Sequence, residues 1–219
     1  MDCYFINNLN LPYTNRVRKG DLYDKFIDEY FVPADFVCIA GGISEFDEIE
    51  SSFLIRLAQR YRGVFYVYGG SDMNSDIPLA NKFENVKNRL RCPQKTKCNP
   101  VRLDGTCTER FGVNIGGAMG FSMQEKISSW KWWTDDKISI FSDEVSRVEN
   151  VINTTPTPNI VITYYHPDEM NIDYSDINIW HYGNSSEKSI IEKDGKILLT
   201  NDCHANFAKF NKEDFLLKV

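Results

Sequence analysis

Short apolar, β-rich runs alternate with amphipathic stretches in the first half of this 219-residue chain, and that alternation limits the fold more than any other feature. Cys3 to Ile6, Phe36 to Ala40 and Val64 to Tyr68 read as strands, each apolar enough to be buried on both faces. Between the second and third, Ile49, Phe53, Leu57 and Tyr61 recur at helical spacing with charge on the opposite side, which predicts a helix. A shorter amphipathic helix over Leu22 to Tyr30 joins the first two strands. Strands separated by helices in this way build an α/β layered fold with crossover connections.

The second half is richer in strands: 112–117, 137–141, 159–165, 177–182, 188–193 and 196–200, interrupted by a helix opened by Ser142 and running to about Asn153. Asp194-Gly195 between the last two runs is a tight-turn signal and predicts a hairpin. Residues 92–110, polar and rich in Pro and Gly, read as an exposed hairpin, loop or insertion within a single domain spanning 1–219.

The formal net charge of -6 argues against a grip on nucleic acid through phosphate neutralisation. No run approaches 18 uninterrupted apolar residues and the N-terminus lacks a secretion signal, so a soluble cytoplasmic protein is expected. Six cysteines are too few for a disulfide scaffold at this length. Cys92, Cys98 and Cys107 match no standard zinc spacing, and free thiols are the default.

Read in order, the ends of the strands form five blocks. Ile6-Asn7-Asn8-Leu9-Asn10-Leu11 is followed by Ile39-Ala40-Gly41-Gly42-Ile43-Ser44 and by Val67-Tyr68-Gly69-Gly70-Ser71-Asp72. Ile162-Thr163-Tyr164-Tyr165-His166-Pro167 and Trp180-His181-Tyr182-Gly183-Asn184-Ser185-Ser186 complete the series. In sequence and spacing these resemble the five blocks of the calcineurin-like metallophosphoesterase family, over nearly the whole chain. The resemblance implies a four-layer α/β/β/α sandwich of two mixed sheets, with strand ends converging on a two-metal site.

Members of that family hydrolyse phosphoesters with paired metal ions that polarise the phosphoryl group and generate hydroxide. Here Asn8 and Asn10 stand at the positions of a metal-binding Asp and His, and Gly42 replaces the bridging carboxylate. Gly70 replaces the Asn ligand and Ser71 the His that protonates the leaving group. Tyr164, Asn184 and Ser186 stand at further His ligand positions. Two close dications repel unless anionic ligands offset them, and neutral oxygens are poor substitutes for carboxylate and imidazole. Asp72 alone survives, and without its His it is expected to accept hydrogen bonds from loop N-H groups.

These replacements predict a pseudoenzyme that needs no cofactor and acts as a binding or structural protein with another protein as partner. Two alternatives stand beside it: an active phosphomonoesterase or phosphodiesterase with a reorganised site, and a sensor holding a nucleotide or phosphate in the old cleft. A metal site built from His166 and His181 with Asp72 or Asp47 is disfavoured, because a one-residue shift on a strand turns a side chain to the opposite face. His204 reads as a solvated or hydrogen-bonded loop residue. Trp130, Trp132 and Trp133 form either core packing beneath a loop or an exposed anchor for a partner. A bias toward Asn, Ile and Lys points to an AT-rich genome, consistent with a viral or phage source.

Overall fold

A computed structural model describes residues 1–11, 21–75, 77–91, 96–121, 143–157, 159–185, 189–200 and 216–219. Two mixed sheets stack face to face. The first has the order β11-β1-β2-β3-β4, built from β1 (Asp2–Asn7), β2 (Phe36–Ala40), β3 (Gly63–Val67), β4 (Val101–Arg102) and β11 (Leu216–Lys218). Strands β1 to β4 run parallel and β11 pairs antiparallel with β1.

The second sheet has the order β5-β6-β7-β8-β10-β9. It comprises β5 (Thr106–Arg110), β6 (Val113–Gly117), β7 (Asn159–Thr163), β8 (Ile179–Tyr182), β9 (Ser189–Lys193) and β10 (Lys196–Thr200). Its centre is parallel, and the hairpins β5-β6 and β9-β10 close the two edges. The β9-β10 turn is the predicted one, with Asp194 and Gly195 both at positive φ.

Helices α1 (Asp21–Tyr30), α2 (Asp47–Arg60) and α4 (Leu79–Leu90) accompany the first sheet, and α5 (Glu144–Thr154) lies on β5, β6 and β7 of the second. Two single-turn helices, α3 (Gly70–Met73) and α6 (Pro167–Met170), follow β3 and β7 directly. The architecture is therefore the four-layer α/β/β/α sandwich. Strands β2, β3 and β7 are buried at every position because each has a sheet or helix on both sides. Cys3 and Cys38 are core residues, with sulfur atoms 3.5 Å apart on neighbouring strands.

Some elements differ from the sequence reading. Helix α4 was not among the predicted elements, although Leu79, Phe83, Val86 and Leu90 carry helical spacing. The 92–110 segment contributes β4 to one sheet and β5 to the other, so its described part crosses between the layers instead of forming only a loop. Two-residue β4 is too short to announce itself by alternation, and β5 is exposed at four of five positions because it is an edge. The predicted strand 137–141 lies outside the described residues. Among the described residues, no helix is long and apolar enough to cross a membrane.

Candidate functional site

Parallel strands of the two sheets end on the same side, and the loops that follow β1, β2, β3, β7 and β8 meet there. Asp72, fully buried in α3, organises the centre. Its Oδ1 accepts from the N-H groups of Ile43 (2.8 Å) and Ser44 (2.9 Å), and its Oδ2 from those of Gly42 and Gly69 (both 2.8 Å). One carboxylate thus binds the loop after β2 to the loop after β3, as expected from the sequence, and also caps the first turn of α3. Burial pushes the Asp72 carboxyl up from its ordinary range, while Lys82 and the backbone donors oppose that shift.

Behind it lies a buried pair that the sequence reading missed. Lys82 of α4 donates to the carbonyls of Ser44 (2.7 Å) and Asp72 (2.5 Å), and its Nζ is 3.4 Å from Glu50 Oε2. Both side chains are fully buried. Burial pushes the Glu50 carboxyl up to about 8, against the pull of Lys82, so its charged form is disfavoured, and Lys82 faces Asp72 as well. A signal existed for Glu50: it falls on the apolar stripe of α2, between Ile49 and Phe53.

Tyr164, one residue beyond β7, fills the middle of the cleft. A Cβ placed on Gly41 would lie 2.6 Å from its ring and one on Gly70 would lie 2.8 Å from its hydroxyl. At Gly69 and Gly183 such an atom would overlap the ring or its surroundings outright. The backbone N-H of Gly70 hydrogen-bonds the phenol oxygen. The Tyr164 carbonyl accepts from the N-H groups of Gly183 (3.0 Å) and Asn184 (2.5 Å), which fixes the ring's attachment. The glycines of three blocks are therefore the floor on which this tyrosine packs.

The amides at the first block are also engaged. Asn8 Nδ2 donates to the Gly183 carbonyl, and Asn10 Nδ2 lies 3.4 Å from the Asn8 carbonyl. Buried Asn7, next in line, donates to the carbonyls of Tyr182 (3.1 Å) and Gly183 (3.0 Å) and to Thr200 Oγ1 (3.1 Å), tying β1 to the second sheet. Asn7 lies within the first block but at no ligand position, so nothing in the sequence singled it out. The buried Ser71 hydroxyl has no hydrogen-bond partner among the described residues.

The structure thus brings together Asn8, Asn10, Gly42, Gly70, Asp72, Tyr164 and Asn184. Ser186, His204 and the segment with Trp130, Trp132 and Trp133 lie outside the described residues. His181 alternates with Trp180 and Tyr182 on β8, so it faces between the sheets, edge-on to Phe5 with ring centroids 5.2 Å apart. Neither ring nitrogen has a hydrogen-bond partner among the described residues, and burial pulls its pKa down to about 3. His166 caps α6, accepting from the Asp168 N-H at 3.1 Å. Asp47 points elsewhere, toward Asn85 (2.8 Å) and Arg89 (3.7 Å). Of the cysteine trio, Cys98 is half-buried and Cys107 exposed, both as free thiols, and Cys92 lies outside the described residues.

These residues do not fit a pair of divalent metal ions. The amide nitrogens of Asn8 and Asn10 are oriented as donors, the phenol of Tyr164 occupies the space between the loops, and Gly42 presents no ligand. A side chain at position 42 would meet Asn8, its Cβ 2.7 Å from Asn8 Oδ1 and 2.8 Å from Asn8 Cα. Among the described residues at these positions the one carboxylate, Asp72, is taken up by four backbone donors.

The layers and the converging strand ends define a metallophosphoesterase-like fold. Phosphopantetheinyl hydrolase from Mycobacterium tuberculosis superimposes at a TM-score of 0.61 with 12% identity, covering 99% of this chain and 95% of that one. An archaeal phosphodiesterase (TM-score 0.44, 9% identity, 100% and 99% covered) and a putative 5'-nucleotidase from Staphylococcus aureus (0.46, 12%, 91% and 48%) are more distant. No protein-family model and no curated protein matches the sequence.

Proposed function

We propose that this chain is a pseudoenzyme, a metallophosphoesterase-like scaffold that has lost two-metal hydrolysis and works by binding. The observation that carries this reading is the Tyr164 ring seated on Gly41, Gly69, Gly70 and Gly183, in the space where ligands from three loops would otherwise converge. The fold relates the chain to phosphoesterases, and the residues at the strand ends argue against that chemistry here. A reorganised site on His166 and His181 is opposed by geometry, because one caps a helix turn and the other is a neutral core residue. The filled cleft likewise leaves little room for a nucleotide there.

The partner in this reading is another protein, met in the cytoplasm of a cell or of a phage-infected host, with Trp130, Trp132 and Trp133 as the candidate anchor. Metal analysis of protein incubated with manganese, together with turnover of p-nitrophenyl phosphate and its diester, tests the loss of catalysis. The expected result is substoichiometric metal and no turnover above buffer. Stoichiometric metal with turnover that His166→Ala or His181→Ala abolishes would sink the proposal.

A further inference from the structure

A second concavity lies on the outer side of the first sheet, between α4 and the β4 edge. We propose that it binds a small organic anion with a flat aromatic body and a phosphate or carboxylate head. Its volume is about 560 Å³, within the range of small-molecule sites. Of the block residues only Tyr68 lines it, and Tyr68 stands at none of the metal-ligand positions. The inference therefore stands whether or not the old cleft is catalytic.

The site arises from strand alternation and helix periodicity. On β3, Val67 faces the second sheet, where a Cβ on Gly117 would meet it, so Tyr66 and Tyr68 face the helices and form the floor. Helix α4 turns Phe83 and Lys87 toward the cavity, one turn apart. Phe83 stacks on Tyr68 with centroids 4.4 Å apart at 15°. The Arg102 guanidinium lies over both rings, 4.9 Å from Phe83 and 5.1 Å from Tyr68.

This arrangement recognises an anion. A guanidinium packed over aromatic rings has less rotamer freedom to lose when a ligand arrives, and its fork of N-H donors matches carboxylate or phosphate. Asp104 accepts from one of its nitrogens at 2.9 Å and the Tyr68 oxygen from another N-H, leaving further donors among the five. Lys87 and Arg91 add positive charge at the wall; Glu84, 3.3 Å from Lys87, and Asp104 on Arg102 offset part of it, which leaves an excess of cations in a chain whose net charge is -6. Of the three rings Phe83 is the partly exposed one, and it supplies the apolar contact for a flat body.

Isothermal titration at low salt with adenosine monophosphate and with 2-naphthoate tests this, the two probes distinguishing a phosphate from a carboxylate head. At least one is expected to bind saturably, with a Kd below about 1 mM. Adenosine and inorganic phosphate, each carrying half of the chemistry, should bind at least about tenfold more weakly. Arg102→Gln should weaken binding about tenfold or more, as loss of a charge-assisted fork does. The double variant Lys87→Gln/Arg91→Gln changes only wall residues and should weaken it about threefold, which keeps the test decisive if the Arg102 variant folds poorly. Absence of saturable binding for both probes, phosphate binding as tightly as the monophosphate, or wild-type affinity in the folded variants would each overturn the proposal.

Discussion

Replacing Asp72 by Asn isolates the contribution of its charge and acceptor geometry with almost no change of shape. Each carboxylate oxygen accepts two backbone N-H groups at 2.8–2.9 Å, so whichever way the amide turns, its NH2 group faces two donors. Two buried N-H groups lose their acceptor, at about 1–3 kcal/mol each, and the other two lose the strengthening of an ionised partner. Relief of the desolvation cost of a fully buried carboxylate offsets part of this. The expected net loss is about 3–4 kcal/mol, equivalent to a fall of roughly 6–15 °C in Tm for a domain of this size. Urea unfolding at pH 7 followed by circular dichroism measures it, with the midpoint shifting and the slope unchanged. Faster hydrogen exchange at the Gly42 and Gly69 amides should accompany the loss. A destabilisation below about 1 kcal/mol would refute the idea that this carboxylate holds the two loops together.

The Lys82 and Glu50 variants should be unequal: Lys82→Met strips two buried carbonyls and Asp72 of their cation and should cost about 2–4 kcal/mol, whereas Glu50→Gln should cost under about 1 because burial already disfavours the charged carboxylate and neither of its oxygens accepts a hydrogen bond among the described residues. A larger loss for the Glu50 variant in thermal unfolding would contradict that assignment. With its folded pKa raised to about 8, Glu50 contributes stability that is full below about 4.5 and lost as pH rises through about 8, and the Gln variant should flatten that slope. His181 has the opposite sign: its folded pKa of about 3 lies below the unfolded value, so its contribution is present above about pH 6.5 and lost on acidification at up to about 1.4 kcal/mol per unit. The difference in unfolding free energy between wild type and His181→Phe, followed from pH 7 to pH 4, reads this out; an identical pH profile would rule it out. Restoring a carboxylate with Gly42→Asp should lower Tm by at least about 4 °C without creating metal affinity, since position 42 has φ +69 and no space beside Asn8. Manganese-dependent stabilisation of that variant would count against the filled cleft.

Strands and helices were legible where the pattern was local. The β1, β2 and β3 runs and helix α2 show their periodicity within a few residues, and Asp194-Gly195 announces its own hairpin through the backbone it prefers. Edge pieces such as β4 and β5 were not legible, because an edge strand buries little and its partners lie far away in sequence. Lys82 offered only its place on the apolar face of α4, three residues after Leu79 and four before Val86, and a lysine there ordinarily carries its charge out to solvent. Only the approach of Ser44 and Asp72, 38 and 10 residues away, makes it a core residue.

What stands at each strand end belongs to the sequence alone: position 42 has no carboxylate and position 184 no imidazole in any fold, because those atoms are absent from the chain. The tertiary structure decided what replaced them. Tyr164 closes over glycines 94 to 123 residues before it and 19 after it, His181 turns inward to the core, and Asp72 collects donors from two loops. Those outcomes depend on burial and on distances between remote segments, which packing of the two sheets sets and one-dimensional spacing does not.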